Sequence, residues 1–327
     1  MMQRELGNGR PVILVTGGAG YIGSRLIRDI AADAAFAGYT VRIFDNLYRE
    51  HFISLMDLKK DRFEFIHGDI LDRINLERAL RGVVAVVHLA SIVRTPLEYN
   101  NPTWVDQINH WGTQSVVEAC LEAGVERFVY ASSASVYGAG GPFEETDLLK
   151  PLGAYPRSKI RGEREVRNGE LRGLKPTILR LASVFGSAPA MRFEVVTSRF
   201  VYLAGTGQPL TIYGEGTQVR PLIHVEDASQ AVLHVLKRDE TVGEVYNVAA
   251  YNPSVRELAD TIIRIRPGAR VRYTDQDTMN RISYEIDSTR LAQTGFQHKV
   301  SLEQGLREML DRWRLMPFQL ETEFDFN

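Results

Sequence analysis

Short apolar runs alternate with longer amphipathic stretches along the first half of the chain, from residue 12 to about residue 184. The runs at 12–15, 41–44, 63–66, 83–88, 128–131 and 177–181 are rich in Val, Ile and Phe and lack strict alternation. That pattern predicts strands buried on both faces. Stretches 22–37, 75–81, 104–123 and 155–172 between them carry apolar residues at helical spacing and are read as helices. Strand-helix alternation of this kind implies parallel pairing through right-handed crossovers, hence an α/β fold with a doubly wound sheet.

The rhythm changes after Gly186. Glycine, proline and basic residues crowd 187–221, a composition that suits binding loops better than sheet. A helix (225–237) and a strand (245–249) then resume the earlier pattern, followed by a helix at 255–266, a short strand at 270–273 and a terminal helix at 302–313. The expected division is a nucleotide-binding Rossmann domain from 1–184 with 222–250, and a smaller α/β substrate domain from 185–221 with 251–327. No internal repeat or low-complexity segment is visible.

The first strand runs into Thr16-Gly17-Gly18-Ala19-Gly20-Tyr21-Ile22-Gly23, which opens a helix. Gly17 allows the tight turn, Gly20 lets backbone approach a pyrophosphate, and Gly23 lets helix and strand pack closely. The helix N-terminus presents free N–H groups and partial positive charge to the phosphates. A glycine trio alone is weak; strand, turn and helix in this order make it a dinucleotide site. Asp45 closes the second strand 22 residues past Gly23, placed to accept both ribose hydroxyls and repel a 2′-phosphate, so NAD is favoured over NADP. Arg42 and Arg49 nearby keep NADP open, and a plain turn aspartate before Asn46 is the alternative role for Asp45. Asp69, with Ile70 after the third strand, can meet the adenine amino group, and Leu89, Ala90 and Ser91 let backbone run beside the cofactor. His88, closing an apolar strand, reads as a packed core imidazole rather than a catalyst.

Ser132, Ser133 and Ser135 end the fifth strand at the sheet's binding edge, and Tyr155-Pro156-Arg157-Ser158-Lys159 follows. Pro156 suits a first helical turn, so Tyr155 and Lys159 share a face at i, i+4. A phenol of pKa ~10 is a poor base at neutral pH. A neighbouring ammonium lowers it toward working pH. Tyrosinate could then take a proton from a sugar hydroxyl as hydride leaves the same carbon, with Ser133 bonded to the reacting oxygen. Tyr-x-x-x-Lys alone often marks a solvated helix face; after a dinucleotide loop and a serine-ended strand it is specific.

With these residues the chain resembles the extended short-chain dehydrogenase/reductase family, the NAD-dependent epimerases and dehydratases, over essentially its whole length. The matching segments are 16–23, Asp69-Ile70, 88–91, Asn109 with Gly112-Thr113, 132–138, and Tyr155 with Lys159. The resemblance implies catalytic roles for Ser133, Tyr155 and Lys159, a sheet-stabilising role for Asn109, and cofactor contacts from Tyr21, Ile22 and Asn46 as well as the residues above. It also implies a nucleotide-sugar substrate. Arg220 and Arg281 would clamp its diphosphate with bidentate guanidiniums, Tyr213 would pack near the base, and Ser183 would face the sugar. Two positions depart from the family pattern, with Pro221 where Asp is usual and Ser183 where Asn is frequent, which bears on the sugar or its pose. Dehydratases of the family place Asp-Glu just after the catalytic hydroxyl residue; Ala134 and Ser135 stand here. The expected activity is therefore 4-epimerisation. The rivals are a nucleotide-sugar reductase or dehydratase, a hydroxysteroid-type dehydrogenase, and an NAD-binding sensor without turnover.

Composition narrows the rest. The 327 residues carry 39 Lys and Arg against 41 Asp and Glu, net −2, so no global positive field gathers nucleic acid or an anionic membrane. No stretch reaches the ~18 apolar residues of a membrane span, and the polar first ten residues lack the apolar core of a signal peptide. The single cysteine, Cys120, lies in an apolar helical pattern, reads as a buried thiol, and excludes an internal disulfide. The expectation is a cytoplasmic protein without a metal site. The resemblance implies a homodimer through the helices at 104–123 and 155–172.

Overall fold

The computed structural model describes residues 9–93, 101–275 and 282–313. Its strands are β1 (Val12–Thr16), β2 (Thr40–Asp45), β3 (Phe63–His67), β4 (Val83–His88), β5 (Arg127–Ser133), β6 (Gly140–Phe143), β7 (Lys175–Leu181), β8 (Ser183–Phe185), β9 (Leu210–Tyr213), β10 (Leu222–His224), β11 (Val245–Val248), β12 (Val271–Thr274) and β13 (Tyr284–Ile286). A seven-stranded sheet runs in the order β3-β2-β1-β4-β5-β7-β11. Its pairings are all parallel, with Thr16 beside both Phe44 and His88, and Ser133 beside Leu181. The chain moves outward from β1 in one direction through β2 and β3, then in the other through β4. The reversal leaves a crevice at the carboxyl ends of β1 and β4, where such sheets bind ligands.

Alternate side chains along the central strands join opposite layers, although nearly all are buried and the sequence shows no alternation. Ile13, Val15, Ile43, Val87 and Val129 join one apolar layer with α1 (Tyr21–Ala32), and Leu14, Phe44, Val86 and Phe128 join the opposite layer. That second layer is closed by Val116, Val117 and the buried Cys120, and by Val166. Both faces are apolar because helices cover both, which erases the two-residue period from the sequence.

The remaining helices are α2 (Arg73–Ala79), α3 (Pro102–Asp106), α4 (Gly112–Glu122), α5 (Ala154–Glu170), α6 (Val196–Gly205), α7 (Val225–Leu236), α8 (Val255–Ile265), α9 (Thr289–Gln293) and α10 (Leu302–Asp311). Three differ from the sequence expectation in instructive ways. The first ends at Ala32, not 37, because the Asp33 side chain accepts a bond from Ala35 N at 2.9 Å and turns the chain into a 3-10 turn, Ala34–Phe36. The helix expected at 104–123 is α3 and α4 joined by a π turn, Gln107–Trp111, which aims Asn109 inward. The stretch expected to be binding loops holds α6 and β9. Phe200, Val201, Leu203 and Ala204 of α6 pack with Leu258, Ile262, Leu306 and Met309 in a third apolar cluster.

Short parallel pairs not anticipated from the sequence, β8 with β10, β9 with β12 and β6 with β13, build the region beside the crevice. No described helix is long and apolar enough to cross a membrane.

Candidate active site

A cavity of about 1300 Å³ opens along the carboxyl ends of β1 to β5. Gly17, Gly20, Tyr21, Ile22, Gly23, Asp45, Asn46, Asp69, Ile70, Leu89, Ala90 and Ser91 all line it, together with Ser133, Tyr155, Lys159, Ser183 and Arg220. Tyr213 stands on β9 and is not among the lining residues. Arg281 lies outside the described residues.

The glycine loop fits a dinucleotide for reasons visible in its surroundings. Gly17 has φ of 69°, and a Cβ there would sit 2.6 Å from Ala90 N, so only glycine lets β1 pass the end of β4. A Cβ on Gly23 would come within 2.6 Å of Gly18 Cα, which fixes the helix against the loop. Over Gly20, by contrast, the nearest atom a Cβ would meet is Gly17 O at 3.1 Å. Gly20 caps α1 without a side chain, so first-turn N–H groups of this helix face the cavity unobstructed, as an anionic diphosphate requires.

Asp45 is held in place before any ligand arrives. Its carboxylate accepts Ala19 N at 3.0 Å and Leu47 N at 2.8 Å, and burial raises its pKa against those two bonds. Asn46 donates to Asp69 Oδ2 at 2.8 Å, joining the ends of β2 and β3. The two arginines that kept a 2′-phosphate open are engaged elsewhere. Arg42 is fully buried against Glu64 and donates to the carbonyls of Ala79 and Arg81. Arg49 pairs with Glu194 at 2.9 Å across the cavity mouth.

His88 is a core residue. It is 1% exposed, with Nδ1 2.7 Å from Thr16 Oγ1 and Nε2 3.0 Å from Thr113 Oγ1. Thr113 gives its own proton to Asn109 O at 2.7 Å, so it accepts from Nε2–H, and Nδ1 accepts from Thr16. Burial pushes the imidazole down to about 3, which keeps it neutral.

Asn109 uses its whole amide. Oδ1 accepts Ser91 Oγ (2.9 Å) and Ile92 N (2.8 Å); Nδ2 donates to Ile92 O (2.8 Å) and Ser158 Oγ (3.0 Å). Ser158 in turn donates to Tyr155 O at 2.8 Å. The π turn thereby ties the end of β4 to the first turn of α5, which carries Tyr155 and Lys159.

Ser133 Oγ lies 2.9 Å from Ser135 Oγ and accepts Ser135 N at 3.3 Å. Lys159 is 3% exposed, with Nζ 4.6 Å from the Tyr130 ring centroid. Burial pushes it down to about 7, opposed by the negative charge of Glu163. Arg220 donates to Val219 O at 2.9 Å and to Ile282 O while facing the cavity. Glu163, Arg192, Glu194 and Arg199 were not singled out by the sequence reading. Of these, Glu163 carried a signal, since 155, 159 and 163 are spaced for one helix face. Among the described residues no group of His, Cys, Asp or Glu is arranged to hold a metal ion.

Residues 13–249 match the model of the NAD dependent epimerase/dehydratase family. The chain is 29% identical over 320 residues to the mouse dTDP-D-glucose 4,6-dehydratase, covering 92% of this chain and 88% of that protein. Among solved structures it is similar to the Bacillus cereus UDP-glucuronic acid 4-epimerase in complex with UDP-glucuronic acid and NAD (TM-score 0.84, 26% identity, 92% of this chain and 98% of that one). It is similar as well to the dTDP-glucose 4,6-dehydratase DesIV of Streptomyces venezuelae with NAD bound (TM-score 0.83, 30% identity, 92% and 96%).

Proposed function

The chain belongs to the NAD-dependent epimerase/dehydratase family, and from that premise we propose that it is a nucleotide-sugar 4-epimerase. It works with NAD, as the family does and as solved relatives of both reaction types carry it. Bound in the cavity, NAD supplies a reversible acceptor for hydride. Tyr155 takes the proton of the sugar 4-hydroxyl, and the Lys159 ammonium one turn away stabilises the phenolate. Ser133 donates to the oxygen as it becomes a carbonyl, and Arg220 grips the diphosphate. The 4-keto sugar turns within the cavity, and Tyr155 returns the proton after hydride comes back to the other face.

One observation carries the choice of epimerase over dehydratase: no carboxylate lines the cavity at the end of β5 to assist loss of water, and Glu163, behind Ser132, is held by Arg180 outside the lining. The cavity's carboxylates among the described residues are Asp45, Asp69 and Glu194. Asp45 ends β2, three strands across the sheet from β5, or about 14 Å at usual strand spacing. Asp69 lies just beyond the end of β3, one strand farther, and Glu194 is paired with Arg49. Ala134 and Ser135 occupy the places where an acid would act.

Incubating the purified protein with UDP- and dTDP-hexoses, with no added reductant, tests the assignment. The expected product is the 4-epimer. A 4-keto-6-deoxy sugar would indicate a dehydratase instead; in a parallel reaction supplied with NADH, its stoichiometric consumption would indicate a reductase.

A further inference from the structure

We propose that Glu163 is the counter-ion and positioning residue of Lys159: it sets a buried negative charge beside the ammonium and ties the strand bearing Ser133 to the helix bearing Tyr155. The proposal rests on the roles given above to Tyr155, Lys159 and Ser133.

Residues 155, 159 and 163 follow at intervals of four along α5 and share its inward face. Glu163 is 7% exposed, and both of its oxygens are held. Oε1 accepts Ser132 Oγ at 2.5 Å and Arg180 Nε at 3.0 Å, and Oε2 accepts Arg180 Nη2 at 2.8 Å. Ser132 immediately precedes Ser133 on β5, and Arg180 lies on the adjacent β7. Three elements therefore converge on one carboxylate that cannot swing away. Arg180 continues the network through Tyr137 OH at 2.9 Å, which donates to Asn247 Oδ1 on β11 at 2.7 Å.

The charges around Lys159 make the electrostatic half of the argument. Its own helix presents Tyr155 and Glu163, β5 presents the Tyr130 ring, and β4 presents His88, which burial keeps neutral. Arg180 on β7 stands behind Glu163. Within this set Glu163 carries the negative charge, against two cations. Removing it strips Lys159 of the attraction that opposes burial. The ammonium then gives up its proton at lower pH, and the phenolate loses its support there.

The test uses the NAD-loaded protein with Glu163→Gln, and with Glu163→Gln combined with Arg180→Met so that no guanidinium is left unpaired. Two readouts are taken: kcat for 4-epimerisation against pH, and the titration of Lys159 by NMR of ¹³C-labelled lysine, assigned with Lys159→Arg. The expected result is a Lys159 midpoint lower by about one pH unit in both variants, with the upper limb of kcat moving the same way. Turnover just above that limb then drops roughly tenfold, while KM and bound NAD hold steady. Folded variants whose midpoint and limb stay at the wild-type pH would overturn the proposal and leave Glu163 a purely structural residue. If the wild-type protein makes no 4-epimer, the functional reading fails by itself, and the Lys159 midpoint still decides whether Glu163 acts on it.

Discussion

In the proposed reaction Tyr155 carries the largest chemical demand, because a phenol would have to act as a base near neutral pH. Its neighbours explain how. Lys159 is buried far enough to titrate near 7 rather than at its ordinary value, so its charge acts through protein rather than through water. His88, at the end of β4, is locked neutral between Thr16 and Thr113 and offers no competing base. Replacing Tyr155 with Phe is expected to cut kcat by roughly 10²- to 10⁴-fold while NAD stays bound, measured as turnover alongside the cofactor released on denaturation. Unchanged turnover would remove the phenol from the mechanism. No turnover in the wild type either, with NAD bound, would fit a sensor.

The π turn between α3 and α4 shows what a single element contributes. It brings Asn109 to face β4 and α5 at once, and four hydrogen bonds from one amide set the spacing between the Ser91 end of the cavity and the Tyr155 helix. Asn109→Ala removes the two part-buried bonds to Ile92 N and O and the bond to Ser158 Oγ. The expected cost is about 1–3 kcal/mol, read as a lowered thermal midpoint, together with a fall in kcat larger than any change in NAD affinity. The resemblance points to Asn109, but periodicity alone gives one continuous helix over this stretch, because a single five-residue π turn is too short to break the helical spacing read on either side of it. Asp33 is a similar case. An aspartate is tolerated in a helix pattern, and its bond to Ala35 N ends the helix there. The parallel strands are legible because burial on both faces leaves unbroken Val- and Ile-rich runs. Strands β6 and β13, with Gly140 and Gly141 in one and three residues in the other, give no such run.

Across the whole molecule, the site is assembled from distant parts of the chain. Glycine loop, Asp45, serine strand and Tyr-x-x-x-Lys helix can each be read locally, because each has a short, contiguous signature. The far wall is harder to read. Met191 to Val196 and Arg220 reach the cavity from segments whose cores join α6, α8 and α10 in the third apolar cluster. Their apolar periodicity is short and interrupted by Ser, Thr and Gly. The Arg49–Glu194 pair spans 145 positions and no local pattern announces it.

In the proposed reaction a hydride leaves one carbon of the sugar and returns to that carbon inside the cavity. A UDP-hexose carrying deuterium at C4, turned over in ordinary water, tests this directly by mass spectrometry and NMR of the product. The expected product is a 4-epimer that keeps its deuterium at C4. Loss of the label to solvent, or its appearance at another carbon, would contradict it.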